Sequence, residues 1–204
     1  MIAARINALA RRVPTAAIYI LCALPVPVLF YMGATGGLGP EPIKALEQEL
    51  GKIALQLLVA GLAITPLRRI AGINLLRFRR ALGLMAFFHV VVHLLVWAVL
   101  DVQIVAQIWA DILKRPYVTV GMAAFVLMIP LALTSNDRAL RRLGPRWRVL
   151  HRLTYGVAVL GAIHFLWLTK GFQIEPLAYL AAILGLLALR IRRLPMKKAV
   201  GQGS

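Results

Sequence analysis

Cysteine and carboxylate are the scarce chemistries of this 204-residue chain. The single cysteine, Cys22, sits inside an apolar run, which excludes a disulfide framework and any thiolate zinc or iron–sulfur site and leaves it as a small apolar side chain. Seven Asp and Glu stand against 24 Lys and Arg, a formal net charge of +17. Long polar stretches are missing as well. The connections between apolar runs are too short to fold a flavin or nucleotide domain, so hydride chemistry would need another protein. What fills the chain is hydrocarbon: 61% of residues are hydrophobic, against roughly 45–50% in soluble domains.

Apolar runs long enough to cross a bilayer fall at roughly 15–32, 50–67, 81–100, 117–134, 149–168 and 176–191. This predicts an all-α, polytopic membrane bundle of six transmembrane helices, with residues 1–204 forming one domain. The first run is too long for a secretory leader and no small-residue cleavage site follows it, so it is expected to be a retained span. Charge placement orients the bundle. The amino terminus, the second and fourth connections and the tail hold nineteen of the 24 basic residues. The other side keeps Lys44, Lys52, Lys114, Arg115 and Lys170 with six of the seven acids. By the positive-inside rule both termini are cytoplasmic, and this placement argues for lipid headgroups and against nucleic acid as the partner of the basic residues. The loop Gly36-Gly37-Leu38-Gly39-Pro40 reads as a turn, because it lacks the strand and the Lys-Ser/Thr of a phosphate cradle. Trp97, Trp109, Trp147 and Trp167 lie near span ends, as interfacial aromatics do. Pro66 and Pro130 also lie near span ends, where neighbours can satisfy the freed carbonyls.

The four histidines carry the candidate chemistry. Ionisable groups at membrane depth mark functional sites, and a haem iron takes imidazole ligands directly. His93 lies thirteen residues beyond Arg80, and His164 thirteen beyond His151, each about 20 Å along its helix. The two enter from the same side, so they reach matched depth on different helices and are expected to ligate one haem b iron. No Cys, Asp or Glu is expected at that depth to complete a zinc site. His151, at the cytoplasmic boundary, is the candidate ligand of a second haem. It lies about 140° from His164 on an ideal helix, so a second haem on the same face would want helix curvature or a local bulge. Arg77, Arg80, a water or an open position would stand opposite His151. His89, one turn below His93 on the same face, reads as a core residue, an alternate ligand or a hydrogen-bond partner for a haem propionate, and is not counted among the ligands. Arg79 and Arg80, with Arg146 to Arg152, are placed to bind haem propionates or a flavin phosphate.

The chain resembles the MsrQ (YedZ) family of haem-binding membrane subunits, within the ferric-reductase-like transmembrane group. The resemblance runs through Gly37-Leu38-Gly39-Pro40, Ile64-Thr65-Pro66-Leu67, Arg79-Arg80-Ala81-Leu82-Gly83-Leu84 on to His93-Leu94, Arg115-Pro116-Tyr117, Leu143-Gly144 with Trp147, Leu150-His151 and Tyr155, and Ile163-His164-Phe165-Leu166-Trp167. It implies a b-type cytochrome of the bacterial inner membrane. Electrons would come from the quinone pool or a cytoplasmic flavin reductase and leave for MsrP, a periplasmic molybdopterin enzyme that repairs methionine sulfoxide. The family's histidines fall on His93, His151 and His164. The resemblance also implies FMN, for which no site is legible. Asp101, Asp111 and Trp109 are the expected docking face for the partner.

Two other readings use the same residues. A stand-alone ferric or quinone reductase would keep the haem and lack the partner. A small transporter or membrane anchor would use the histidines only to bridge helices. No proton or acyl chemistry is expected of the chain itself.

Overall fold

A computed structural model describes residues 2–169 and 173–191. Lys170, Arg192, Arg193, Lys197 and Lys198, counted above as orientation signals, lie outside these. Among the described residues every regular element is helical.

Five helical stretches are long and apolar enough to cross a membrane: Thr15–Ala34, Pro42–Ile70, Leu76–Val102, Pro116–Leu133 and Pro145–Leu168. The chain is thus a multi-pass helical membrane protein. The remaining expected span, 176–191, falls within an 18-residue helix, Ile174–Ile191. In chain order the helices are α1 (Ile2–Arg12), α2 (Thr15–Ala23), α3 (Pro25–Ala34), α4 (Pro42–Ile70), α5 (Arg79–Leu95), α6 (Val105–Lys114), α7 (Pro116–Leu133), α8 (Asp137–Leu143), α9 (Pro145–Leu150), α10 (Leu153–Leu168) and α11 (Ile174–Ile191).

The core is a four-helix arrangement of α4, α5, α7 and α10. Leu58, Ala86, Met128 and Val157, one from each of the four, pack into a single buried cluster. A second cluster, Leu55, Leu62, Ala158, Ala162 and Ile183, attaches α11 to α4 and α10. A third, Leu46, Leu50 and Val96, closes one end. Alanines recur where the helices meet, and Ala81, Ala86, Ala158 and Ala162 are fully buried. Lipid offers apolar side chains no less hydrocarbon than a partner helix does, so close packing of small residues is what holds membrane helices together. Large side chains such as Leu21, Phe30 and Val126 correspondingly face outward.

Three local features depart from straight, uninterrupted spans. Helix α4 begins at Pro42, eight residues before the apolar run, with Pro as a helix-starting residue. Beyond Leu95, α5 passes into a π-helical segment, Val96–Val102, that ends at Gln103 with φ of 61°. Between α9 and α10 the helix breaks at His151 and Arg152.

The first helix, α1, is tied to the connection between α4 and α5. Asn7 Nδ2 donates to the Gly72 carbonyl at 2.9 Å, and the Asn74 N–H donates to Asn7 Oδ1 at 2.8 Å. The Arg77 guanidinium donates to the carbonyls of Ala10 and Arg11 at 3.1 and 2.8 Å, which places a cation on the negative end of the α1 dipole. Pro66 inside α4 has no N–H for the carbonyl of Leu62. Arg190 of α11 supplies that donor at 2.7 Å and a second hydrogen bond to the Tyr155 hydroxyl at 2.9 Å.

Candidate functional site: a paired-imidazole cavity

Helices α5 and α10 bring His93 and His164 together. Their ring centres lie 6.2 Å apart and their planes cross at 81°. His93 Nδ1 is 2.9 Å from the carbonyl oxygen of Glu47, and His164 Nδ1 is 2.7 Å from that of Tyr117. A carbonyl only accepts, so each Nδ1 carries the proton and each Nε2 keeps a lone pair. Neither Nε2 has a hydrogen-bond partner among the described residues.

This is the donor set a metal asks of histidine: a second-sphere carbonyl fixes the tautomer and raises the basicity of the other nitrogen. The spacing fits as well. Two imidazoles on opposite sides of one first-row metal, each nitrogen about 2 Å from it, hold their ring centres about 6 Å apart.

Both histidines line a cavity of about 290 Å³ with Gly51, Gly121, Phe125 and Trp97 among its walls. Its polar rim is formed by Lys44, Lys52, Glu47, Asp101 and Arg115. The residues therefore fit a planar, doubly ligated, anionic cofactor: apolar walls for a macrocycle, two lone pairs for its iron, and cations at the rim for its carboxylates. The expectation that no carboxylate approaches this depth is corrected by Glu47, which stands on the outward extension of α4 that hydropathy alone did not count as span. A Glu in the first turns of a long helix is hidden from an apolar-window reading.

His151 is differently placed. Its ring stacks on Trp147 with centres 3.8 Å apart, and its Nε2 lies 3.1 Å from the Thr134 hydroxyl. That hydroxyl donates to the Pro130 carbonyl at 2.6 Å, so it accepts from His151 and holds the proton on Nε2. The helix breaks at His151 and Arg152, so the simple angular relation of one ideal helix does not hold between His151 and His164.

A second cavity, about 490 Å³, is lined by His151 with Arg79, Arg80, Arg148, Arg152 and Tyr155. Leu58, Met128 and Val157 line both cavities, so a single layer of apolar side chains separates the two. Arg77, considered above as a group opposite His151, is engaged instead with α1. Arg80 is shared with Asp137 at 2.6 Å. The Arg80 guanidinium holds the Asp137 carboxyl below the usual carboxylate range.

His89 is fully buried on α5, with Nδ1 bonded to its own helix at Met85 and Nε2 without a partner. It lines neither cavity. The expected docking face is also revised. Asp101 is exposed, but Asp111 is buried and paired with Arg115 at 3.1 Å. The exposed large apolar residues of α6 are Val105, Trp109 and Leu113, which recur every four residues along one face of that helix. Spacing missed Gly51, Gly121 and the two main-chain acceptors, because nothing in a single helix says which turn of its neighbour a histidine will meet.

A multi-pass chain, helical throughout its described residues, with paired imidazoles inside its bundle defines a helical membrane protein with a candidate cofactor site, and comparison with known proteins narrows this. Residues 50–162 match the family described as ferric reductase like transmembrane component. The chain is 50% identical over 178 residues to the protein-methionine-sulfoxide reductase heme-binding subunit MsrQ of Rhizobium meliloti, covering 87% of this chain and 82% of that protein. The same-named subunit of Agrobacterium fabrum is 46% identical over 177 residues, covering 86% and 82%. That of Brucella ovis is 45% identical over 172 residues, covering 83% and 78%. No solved structure matches the chain. The chain belongs to the MsrQ family, within the ferric-reductase-like transmembrane group.

Proposed function

We propose that the chain is a b-type cytochrome that relays electrons across the bacterial inner membrane. It would take them from the quinone pool or a cytoplasmic flavin reductase and deliver them to MsrP, a periplasmic molybdopterin methionine-sulfoxide reductase. In this reading all of 1–204 is one domain of six spans with both termini cytoplasmic, α11 being the sixth. The observation that carries it is the His93–His164 pair, with both Nδ1 atoms held by carbonyls and both Nε2 atoms free. The names of the relatives support it.

Bound between these rings, a haem supplies one-electron redox chemistry. His93 and His164 are the residues that would hold its iron. Lys44, Lys52 and Arg115 line the same cavity and would face its carboxylates by giving up or sharing their present acidic neighbours Glu41, Glu49 and Asp111, and the apolar walls would exclude water. The inner cavity, with His151, Arg79, Arg80, Arg148 and Arg152, is the proposed place for a second haem or for the phosphate of FMN. Ligation of an iron by His151 Nε2 requires the bond to Thr134 to open.

Reconstitution tests the relay. The purified chain, reduced with a quinol and mixed with oxidised MsrP and methionine sulfoxide, should be reoxidised at a rate set by the MsrP concentration. Reoxidation that ignores the partner and follows added ferric chelate or quinone would instead favour a stand-alone reductase.

A further inference from the structure

The two imidazoles are seated in the same way on two different helices. On α4 the Glu47 carbonyl accepts from His93, and Gly51, four residues on, lies against that ring. On α7 the Tyr117 carbonyl accepts from His164, and Gly121, again four residues on, lies against that ring. Side chains on an α-helix lean back over the preceding turn, so residue i+4 covers the carbonyl of residue i. Glycine at i+4 uncovers it. The carbonyl then keeps one lone pair for the helical ladder and offers the other to an outside donor.

A Cβ added at Gly121 would stand 2.8 Å from His164 Nδ1 and 2.9 Å from Cε1, a separation that forces the ring to move. At Gly51 the corresponding distances to His93 are 3.4 and 3.5 Å, tight but tolerable with a small shift. Gly156 and Gly185 meet nothing within 4 Å, so close approach is not a general property of the helical glycines here.

We propose that Gly51 and Gly121 are positioning residues. By exposing the carbonyls of Glu47 and Tyr117 they fix the tautomer and direction of His93 and His164, and so set how tightly these hold a haem iron and at what potential. This rests on the haem reading above and adds the two groups that tune it. The pair is unequal, the His164 side being the tighter.

The test uses the full chain, purified and loaded with haemin. Haem retention, spin state by electron paramagnetic resonance and midpoint potential are measured for Gly121→Ala and Gly51→Ala, with Gly156→Ala and Gly185→Ala as controls for helix propensity. Gly121→Ala should weaken haem retention by about 10–100-fold, the usual effect of losing a second-sphere partner, and convert low-spin to high-spin iron. Gly51→Ala should stay low-spin with a displaced potential, and the controls should match wild type. The proposal is overturned if Gly121→Ala keeps wild-type retention, spin state and potential while His93→Ala and His164→Ala lose the haem. If Gly121→Ala does not fold, Gly51→Ala decides: an unmoved potential there overturns the proposal. Low-spin haem surviving in both histidine variants is a different result, because it removes His93 and His164 as the iron ligands, the assignment on which the proposal rests.

Discussion

His93 of α5 and His164 of α10 present their rings to each other across 6.2 Å, each anchored through Nδ1 to a main-chain carbonyl of a third and a fourth helix. Four helices therefore converge on one pair of side chains. Whatever is bound between the rings is held by the whole bundle, and the bundle's packing limits how far either ring can move.

The third histidine of this region separates ligand from core. His89 is fully buried with an unpartnered Nε2, and an unsatisfied buried polar group costs about 1–3 kcal/mol. His89→Leu removes that group at similar volume and should leave thermal stability equal or higher, with the haem spectrum unchanged. A lost Soret band in this variant would show that His89 is a ligand.

At the junction of α4, α10 and α11, Arg190 replaces the donor that Pro66 lacks for the Leu62 carbonyl. Arg190→Ala should destabilise the protein by about 1.5–3 kcal/mol, the range for a charged hydrogen bond. Pro66→Ala restores a main-chain N–H to that carbonyl, so the loss should shrink in the double variant. Additive effects in a thermal-melt cycle would refute this account of Arg190.

In the proposed relay, Asp101 and Asp111 should differ. Asp101 is exposed at the cavity rim, while Asp111 is buried against Arg115. Rim charges act mainly on association rate and its salt dependence. Asp101→Lys should slow reduction of MsrP in a salt-dependent way, whereas Asp111→Asn should lower thermal stability and leave that rate unchanged. Equal kinetic effects of the two substitutions would contradict this assignment.

At the inner cavity, Asp137 neutralises part of the Arg80 charge. Arg80 depresses the Asp137 carboxyl, so the contact is complete above the ordinary carboxylate range and is lost only as pH falls through the lower folded value. Asp137→Asn should therefore tighten FMN binding in the proposed inner site, measured by fluorescence quenching at about pH 8, where both the Asp137 carboxyl and the FMN phosphate are ionised. Unchanged or weaker binding by the variant would contradict this account.

Much of this architecture was open to reading from the chain itself, because hydrocarbon length and basic-residue placement constrain a membrane bundle strongly. The matched depth of His93 and His164 followed from counting residues along two helices. What escaped was set by tertiary contact. Hydropathy could not show that α4 extends outward to Pro42 and carries Glu47 to the site, since that turn is polar. The π-helical segment after Leu95 and the break at His151 have no local signature. Gly51 and Gly121 look like any glycine in a membrane helix until their neighbours are known. Asp111 seemed available because nothing in sequence shows that Arg115, one turn on, covers it.

The most direct test of the central claim is the electron paramagnetic resonance spectrum of the ferric, haem-loaded protein, taken together with its haem-to-protein ratio. Two imidazoles whose planes cross at 81° predict a low-spin, strongly anisotropic signal that disappears in both His93→Ala and His164→Ala. A high-spin signal in the wild type, or no bound haem at all, would contradict the account.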